Sequence, residues 1–133
     1  MKNNLADEYV VKLNDIERFK GDTFSIPFEF FYDDGTPINL NECIPLMTIC
    51  PYGKYQDEAI ITKVMLISDT QSNLATAEFI ASDTENIDGN KFSYQPVLVY
   101  DDTYEGSPRR RNYRRAEGDL LLRSDIKYDD TKI

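Results

Sequence analysis

Gly21–Leu40 reads GDTFSIPFEFFYDDGTPINL, and the fold class follows from it. Phe24, Ile26, Phe28 and Phe30 fall on every second position, with Thr23, Ser25, Pro27 and Glu29 between them. Alternation with period two sends one set of side chains to each face of a strand. Turn chemistry brackets the run, with Lys20-Gly21-Asp22 before it and Asp33-Asp34-Gly35-Thr36-Pro37 after it. A half-buried strand between two turns is the mark of an antiparallel sheet.

Working outward, Tyr9, Val11 and Leu13 alternate and predict a first short strand, and Asn14–Gly21 reads as a connection to a second, Thr23–Tyr32. After the turn, Ile38 and Leu40 read as apolar plugs while Asn39 and Asn41 face out. Ile44–Cys50 predicts a third strand. Pro45 and Pro51 bound it and remove ladder donors, so an edge position or a short strand is expected. Tyr52–Asp57 is a polar loop. Ala59–Ile67 is apolar on both faces and reads as a central or covered strand, with Leu74–Ile80 as its hairpin partner across the turn Asp69–Asn73. Ser82-Asp83-Thr84-Glu85 matches a capping box, and Gly89 limits the helix to one or two turns. Lys91–Tyr100 alternates again, Asp101–Pro108 reads as a long polar turn, and Arg109–Arg123 as the return strand. The expectation is an all-β fold: an immunoglobulin-like antiparallel β-sandwich of seven to eight strands with at most one short helix. Its core is expected from Phe24, Ile26, Phe28, Phe30, Phe92, Tyr94 and Leu98.

A chain of 133 residues fits one domain and can bury a core without staples. It divides into an arm over residues 1–8, a sandwich domain over 9–126 and a tail over 127–133. The sequence shows neither an 18-residue apolar run nor the apolar stretch of a signal peptide near Met1, which points to synthesis in a reducing compartment and no membrane partner. In that setting Cys43 and Cys50 are expected as free structural thiols.

Histidine is absent, which removes the commonest general base and metal ligand. The acidic pairs Asp33/Asp34, Asp101/Asp102 and Asp129/Asp130 sit in turns or the tail, where aspartate serves local backbone amides. Asp101–Gly106 lacks the alternating ligands and terminal glutamate of a calcium loop. Phosphate loops and nucleophile elbows are missing too. The sequence therefore assigns no catalytic, cofactor or metal residues, and a non-enzymatic role is expected.

The net charge of −9 disfavours binding to nucleic acid or anionic lipid. One segment departs from it: Arg109, Arg110, Arg111, Arg114 and Arg115 crowd around Asn112 and Tyr113. Three readings stand: an interface with a partner or second copy, internal charge pairing, and nucleic-acid contact. The flanking Glu105, Glu117 and Asp119 argue against the last. Arginine's planar fork pairs with carboxylates across protein interfaces. Tyrosine is enriched as well, with nine residues and no tryptophan, and Tyr52, Tyr55, Tyr104 and Tyr113 fall in or near loops. Either they supply contact area at an interface, or they are ordinary sheet-surface residues. The candidate interface is thus Arg109, Arg110, Arg111, Tyr113, Arg114, Arg115, Tyr104, Tyr52 and Tyr55.

The order of these pieces resembles the N-terminal β-sandwich domain of phage baseplate upper proteins and related small prophage-encoded domains. The resemblance rests on Lys20-Gly21-Asp22-Thr23 before the Phe/Ile strand and on Asp34-Gly35-Thr36-Pro37-Ile38-Asn39-Leu40 after it. Arg115-Ala116-Glu117-Gly118-Asp119-Leu120-Leu121-Leu122 resembles that group's closing strand. Gly89-Asn90-Lys91-Phe92-Ser93-Tyr94 resembles a further strand, with one extra residue after the glycine. It spans about residues 9 to 126. It implies a virion structural protein without chemistry of its own, an adaptor on neighbouring subunits of tail, baseplate or collar and on copies of itself. An auxiliary capsid decoration protein and a carbohydrate- or receptor-binding module of a tail fibre are the alternatives it leaves.

Overall fold

The structure, a computed structural model, describes residues 9–52, 59–104, 107–113 and 118–124. Ten strand segments follow the chain: β1 Tyr9–Val11, β2 Ile16–Phe19, β3 Phe24–Tyr32, β4 Ile44–Pro51, β5 Ile61–Val64, β6 Leu66–Ile67, β7 Leu74–Phe79, β8 Lys91–Tyr104, β9 Ser107–Tyr113 and β10 Gly118–Arg123. A 3-10 turn, Leu40–Glu42, and one short helix, α1 Ala81–Thr84, complete the described elements. One sheet runs β1-β3-β7-β6 and the other β2-β10-β8-β4-β5, with β9 also paired to β8.

These segments amount to seven passes across an immunoglobulin-like β-sandwich. The first pass starts in one sheet as β1, antiparallel to β3, and ends in the other as β2, parallel to β10. The β5–β6 pass likewise changes sheets, at the buried Met65. Between the sheets lie Ile26, Phe28, Phe30, Ile38, Leu40, Met47, Ile49, Ala75, Ala77, Phe79, Phe92, Tyr94, Leu98, Leu120 and Leu122. The alternation read from Phe24 to Phe30 holds, except that Phe24 at the strand's start is only half-buried, stacked on Phe79 with ring centroids 4.8 Å apart. Both plugs, Ile38 and Leu40, are buried. Cys43 and Cys50 are thiols not joined in a disulfide, Cys50 buried and Cys43 half-buried with its Sγ 3.5 Å from Leu40 O.

Several expectations need correction. Asn14–Gly21 contains β2, because Ile16 and Phe19 find a parallel partner in β10, about a hundred positions away in the sequence. β4 is not an edge strand: β8 flanks it on one side and β5 on the other. Main-chain groups alternate sides along a strand. The Pro45 carbonyl accepts from Met65 N at 2.9 Å, so the missing N–H of Pro45 faces the β5 side, beyond that ladder's last pair, Leu46 with Val64. The β4–β8 ladder thus loses nothing. The same alternation turns the missing donor of Pro96 toward the gap between the β10 and β9 ladders on β8. The Ala59–Ile67 stretch lies at the rim of both sheets, leaving Val64 65% and Leu66 58% exposed. Finally, the capping position is Ile80, not Ser82. The Asp83 carboxylate accepts from Ile80 N at 2.8 Å, while Thr84 is buried and its Oγ1 accepts from Gly21 N at 2.9 Å.

The two ends of the sandwich differ. One, the helix end, holds α1 and the β2–β3 turn. Here Lys20 Nζ donates to Ile87 O at 2.8 Å, and Lys63 pairs with Asp83 at 2.7 Å. Burial pushes the Asp83 carboxyl up, but hydrogen bonds from Lys63 and Ile80 N and the Lys63 charge outweigh it and hold it below its ordinary value. At mid-height, Tyr94 Oη donates to Asn14 O at 2.6 Å, tying β8 to the crossover of the first pass. Burial, with the charges of Asp15 and Asp119, raises the Tyr94 phenol against that bond. A Cβ at Gly118 would stand 2.7 Å from the Tyr94 ring, so the closing strand needs glycine where it crosses that tyrosine.

Candidate functional site

The other end, the loop end, gathers the end of β3, the start of β4, the β6–β7 turn and the exit of β8. Register fixes the arrangement. Ile44 opens β4 opposite Val99, and β4 supplies no partner for β8 beyond that pair. β8 nevertheless continues to Tyr104, paired with β9 from Tyr100 opposite Arg111 to Tyr104 opposite Ser107. Five cross-strand pairs therefore form a two-stranded ribbon beyond the five-strand ladder, roughly 17 Å long at the rise of an antiparallel strand. This corrects the reading of Asp101–Pro108 as a turn: strand pairing runs through it. The expected return strand Arg109–Arg123 is two pieces, β9 on the outer half of β8 and β10 on the inner half.

The ribbon carries most of the candidate interface. Arg109, Arg110, Arg111 and Tyr113 lie on β9 and Tyr104 on β8. Counting alternate positions from the inward Leu98 places Tyr100, Asp102 and Tyr104 on the same face of the ribbon as Arg109, Arg111 and Tyr113. Arg110 and Asn112 occupy the other face. The register also sets Asp101 opposite Arg110 and Asp102 opposite Arg109, positions at which opposite charges favour a strand pair. Tyr52 does not join this group. It sits at the opposite end of the sandwich, 52% exposed, with Lys91 Nζ 4.1 Å from its ring centroid. Tyr55, Arg114 and Arg115 lie outside the described residues, as do the arm 1–8 and the tail 127–133.

Sequence reasoning missed the surroundings of the ribbon. Exposed Asp33, Asp34, Glu42 and Asp69 line the loops of the same end. Asp34 Oδ1 accepts from Thr36 N at 2.9 Å, and the Leu40 N to Ser72 O bond, 2.9 Å, draws the β6–β7 turn against the 3-10 turn. Burial first, and then the nearby Glu42, Cys43 and Asp34, raise the Tyr32 phenol above its ordinary value. A signal was available in the sequence: no lysine or arginine occurs from Gly21 to Gly53.

No protein-family model matches this chain. Nor does any curated protein sequence match it significantly. Among the described residues no three His, Cys, Asp or Glu side chains converge to hold a metal ion. An open cleft of about 400 Å³ is lined by Asp15, Glu17, Lys91 and Asp119, and Glu17 is engaged there by Arg123 at 3.0 Å. No helix among the described residues is long and apolar enough to cross a membrane.

Proposed function

We propose that this protein is a non-enzymatic structural subunit of a phage particle, an adaptor that packs on neighbouring virion proteins and on copies of itself. The observation that carries the reading is the ribbon: a two-stranded projection built from an arginine-rich strand, standing beyond an otherwise closed sandwich. An isolated two-stranded hairpin is at best marginally stable in water, so a projecting one gains most when it lies on another surface. Arginine and tyrosine are the residues that dominate binding energy at interfaces. The Gly21-Asp22-Thr23, Asp34–Leu40 and Ala116–Leu122 segments, which resemble those of phage baseplate sandwich domains, point the same way. In this reading the protein is made in the host cytoplasm and ends in the virion, at the tail, baseplate or collar. Mass spectrometry of purified particles tests it. The chain is expected at a stoichiometric copy number, and its absence from particles produced by cells that express it would contradict the adaptor role.

A further inference from the structure

Two features of opposite charge share the loop end. The described ribbon, Tyr100–Tyr104 with Ser107–Tyr113, holds Arg109, Arg110 and Arg111 against Asp101 and Asp102, a net +1 in a chain of −9. The exposed Asp33, Asp34, Glu42 and Asp69 lie on loops of the same end. An interface closed by a two-fold axis needs both complementary halves on one face of the same molecule, so that residue i meets j while j meets i. Halves on opposite ends would instead propagate a filament. Here the chain's register puts them together: Ile44 opposite Val99 sets the ribbon's base beside the start of β4, next to the acidic 33–42 connection. Ile44, 37% exposed at that base, adds an apolar contact.

We propose that the ribbon Tyr100–Tyr104 with Ser107–Tyr113 docks on the Asp33, Asp34, Glu42 and Asp69 loops of a second copy, closing a two-fold, end-to-end dimer. The partner is a second copy because the same end supplies both charges. The proposal rests on the ribbon being an assembly surface. Arginine pairs with carboxylates in a planar, two-pronged geometry that lysine lacks, which suits such a contact. Being between surface groups, the attraction weakens as salt shortens the screening length.

Sedimentation velocity of the full chain over a concentration series tests this. The expected result is a monomer–dimer equilibrium that weakens with salt and grows no larger species. R110E/R111E and, separately, D33K/D34K are each expected to lose the dimer. An equimolar mixture of the two variants is expected to regain it, because each ribbon then meets loops of opposite charge. That recovery also shows that both variants are folded. A wild-type chain that stays monomeric, a dimer indifferent to both reversals, or growth beyond the dimer would each overturn the proposal. A monomer that still binds purified particles would overturn the dimer and leave the adaptor reading standing. A dimer absent from particles would do the reverse.

Discussion

The two ends of the sandwich are built on different terms. At the helix end, polar groups are satisfied by segments distant in the chain: Lys20 by Ile87 O, Gly21 N by Thr84, Lys63 by Asp83. At the loop end much of the side-chain bonding is local, Asp34 to Thr36 N, Asn39 to Asn41 N and Ser68 to Thr70 N, each two residues apart. Long-range bonds occur there too, from Asn73 Nδ2 to Phe30 O at 3.1 Å, Gln71 Nε2 to Glu29 Oε2 at 2.6 Å and Leu40 N to Ser72 O at 2.9 Å. They hold the β6–β7 turn, while the Asp33–Pro37 turn is closed by its near neighbours. Long-range ties close loops and lower local mobility, whereas local turns shape a segment and leave its outer surface free. The difference teaches that the helix end is tied chiefly by bonds between distant segments, while the Asp33–Pro37 turn at the other end holds its shape locally and leaves its carboxylates exposed.

Removing a tie at the helix end should therefore cost stability. T84V keeps the shape of Thr84 and removes the acceptor for Gly21 N. A loss of about 1–2 kcal/mol is expected in urea unfolding, because the half-buried Gly21 N loses its acceptor. A change below a few tenths would break the comparison at its firmest point. A smaller effect is expected from the Lys63–Asp83 pair, which is partly exposed. Because the folded structure lowers the Asp83 pKa from 3.8, its contribution is fully present above that value and lost as pH falls through the folded value. D83N should lower stability by about 1 kcal/mol near neutrality. The gap between the two proteins should close below pH 4. A gap that persists at low pH would assign the loss to the Ile80 cap alone.

How far the fold could be read in advance follows the same divide between burial and exposure. The Phe24–Phe30 strand and the Ile38 and Leu40 plugs were legible because one face of each is buried, and burial writes a period into the sequence. β2 was not, because none of its four residues is fully buried, which leaves no pattern, and the partner strand is far along the chain. The prolines of β4 misled for a geometric reason. Which neighbour loses a donor depends on which side the missing N–H faces, and that parity appears only once the register is known. Val64 and Leu66 look like core in sequence and stand at the rim, since the sheet change at Met65 leaves no local mark. Asp101–Pro108 was read as a turn because its run of polar residues shows no hydrophobic alternation in the sequence. Of the candidate surface, the arginine run was legible from composition, and its acidic counterpart was not. Asp33, Asp34, Glu42 and Asp69 are spread over 37 positions and are brought to one end only by the fold.

Amide hydrogen exchange, followed on the full chain below and above the concentration at which it associates, tests most directly whether the loop end faces the partner. The account expects slowed exchange in 100–104, 107–113, 33–43 and 68–73, with no change in 19–23 and 80–91 at the helix end. Protection confined to the helix end, or association that leaves the ribbon's exchange untouched, would contradict it.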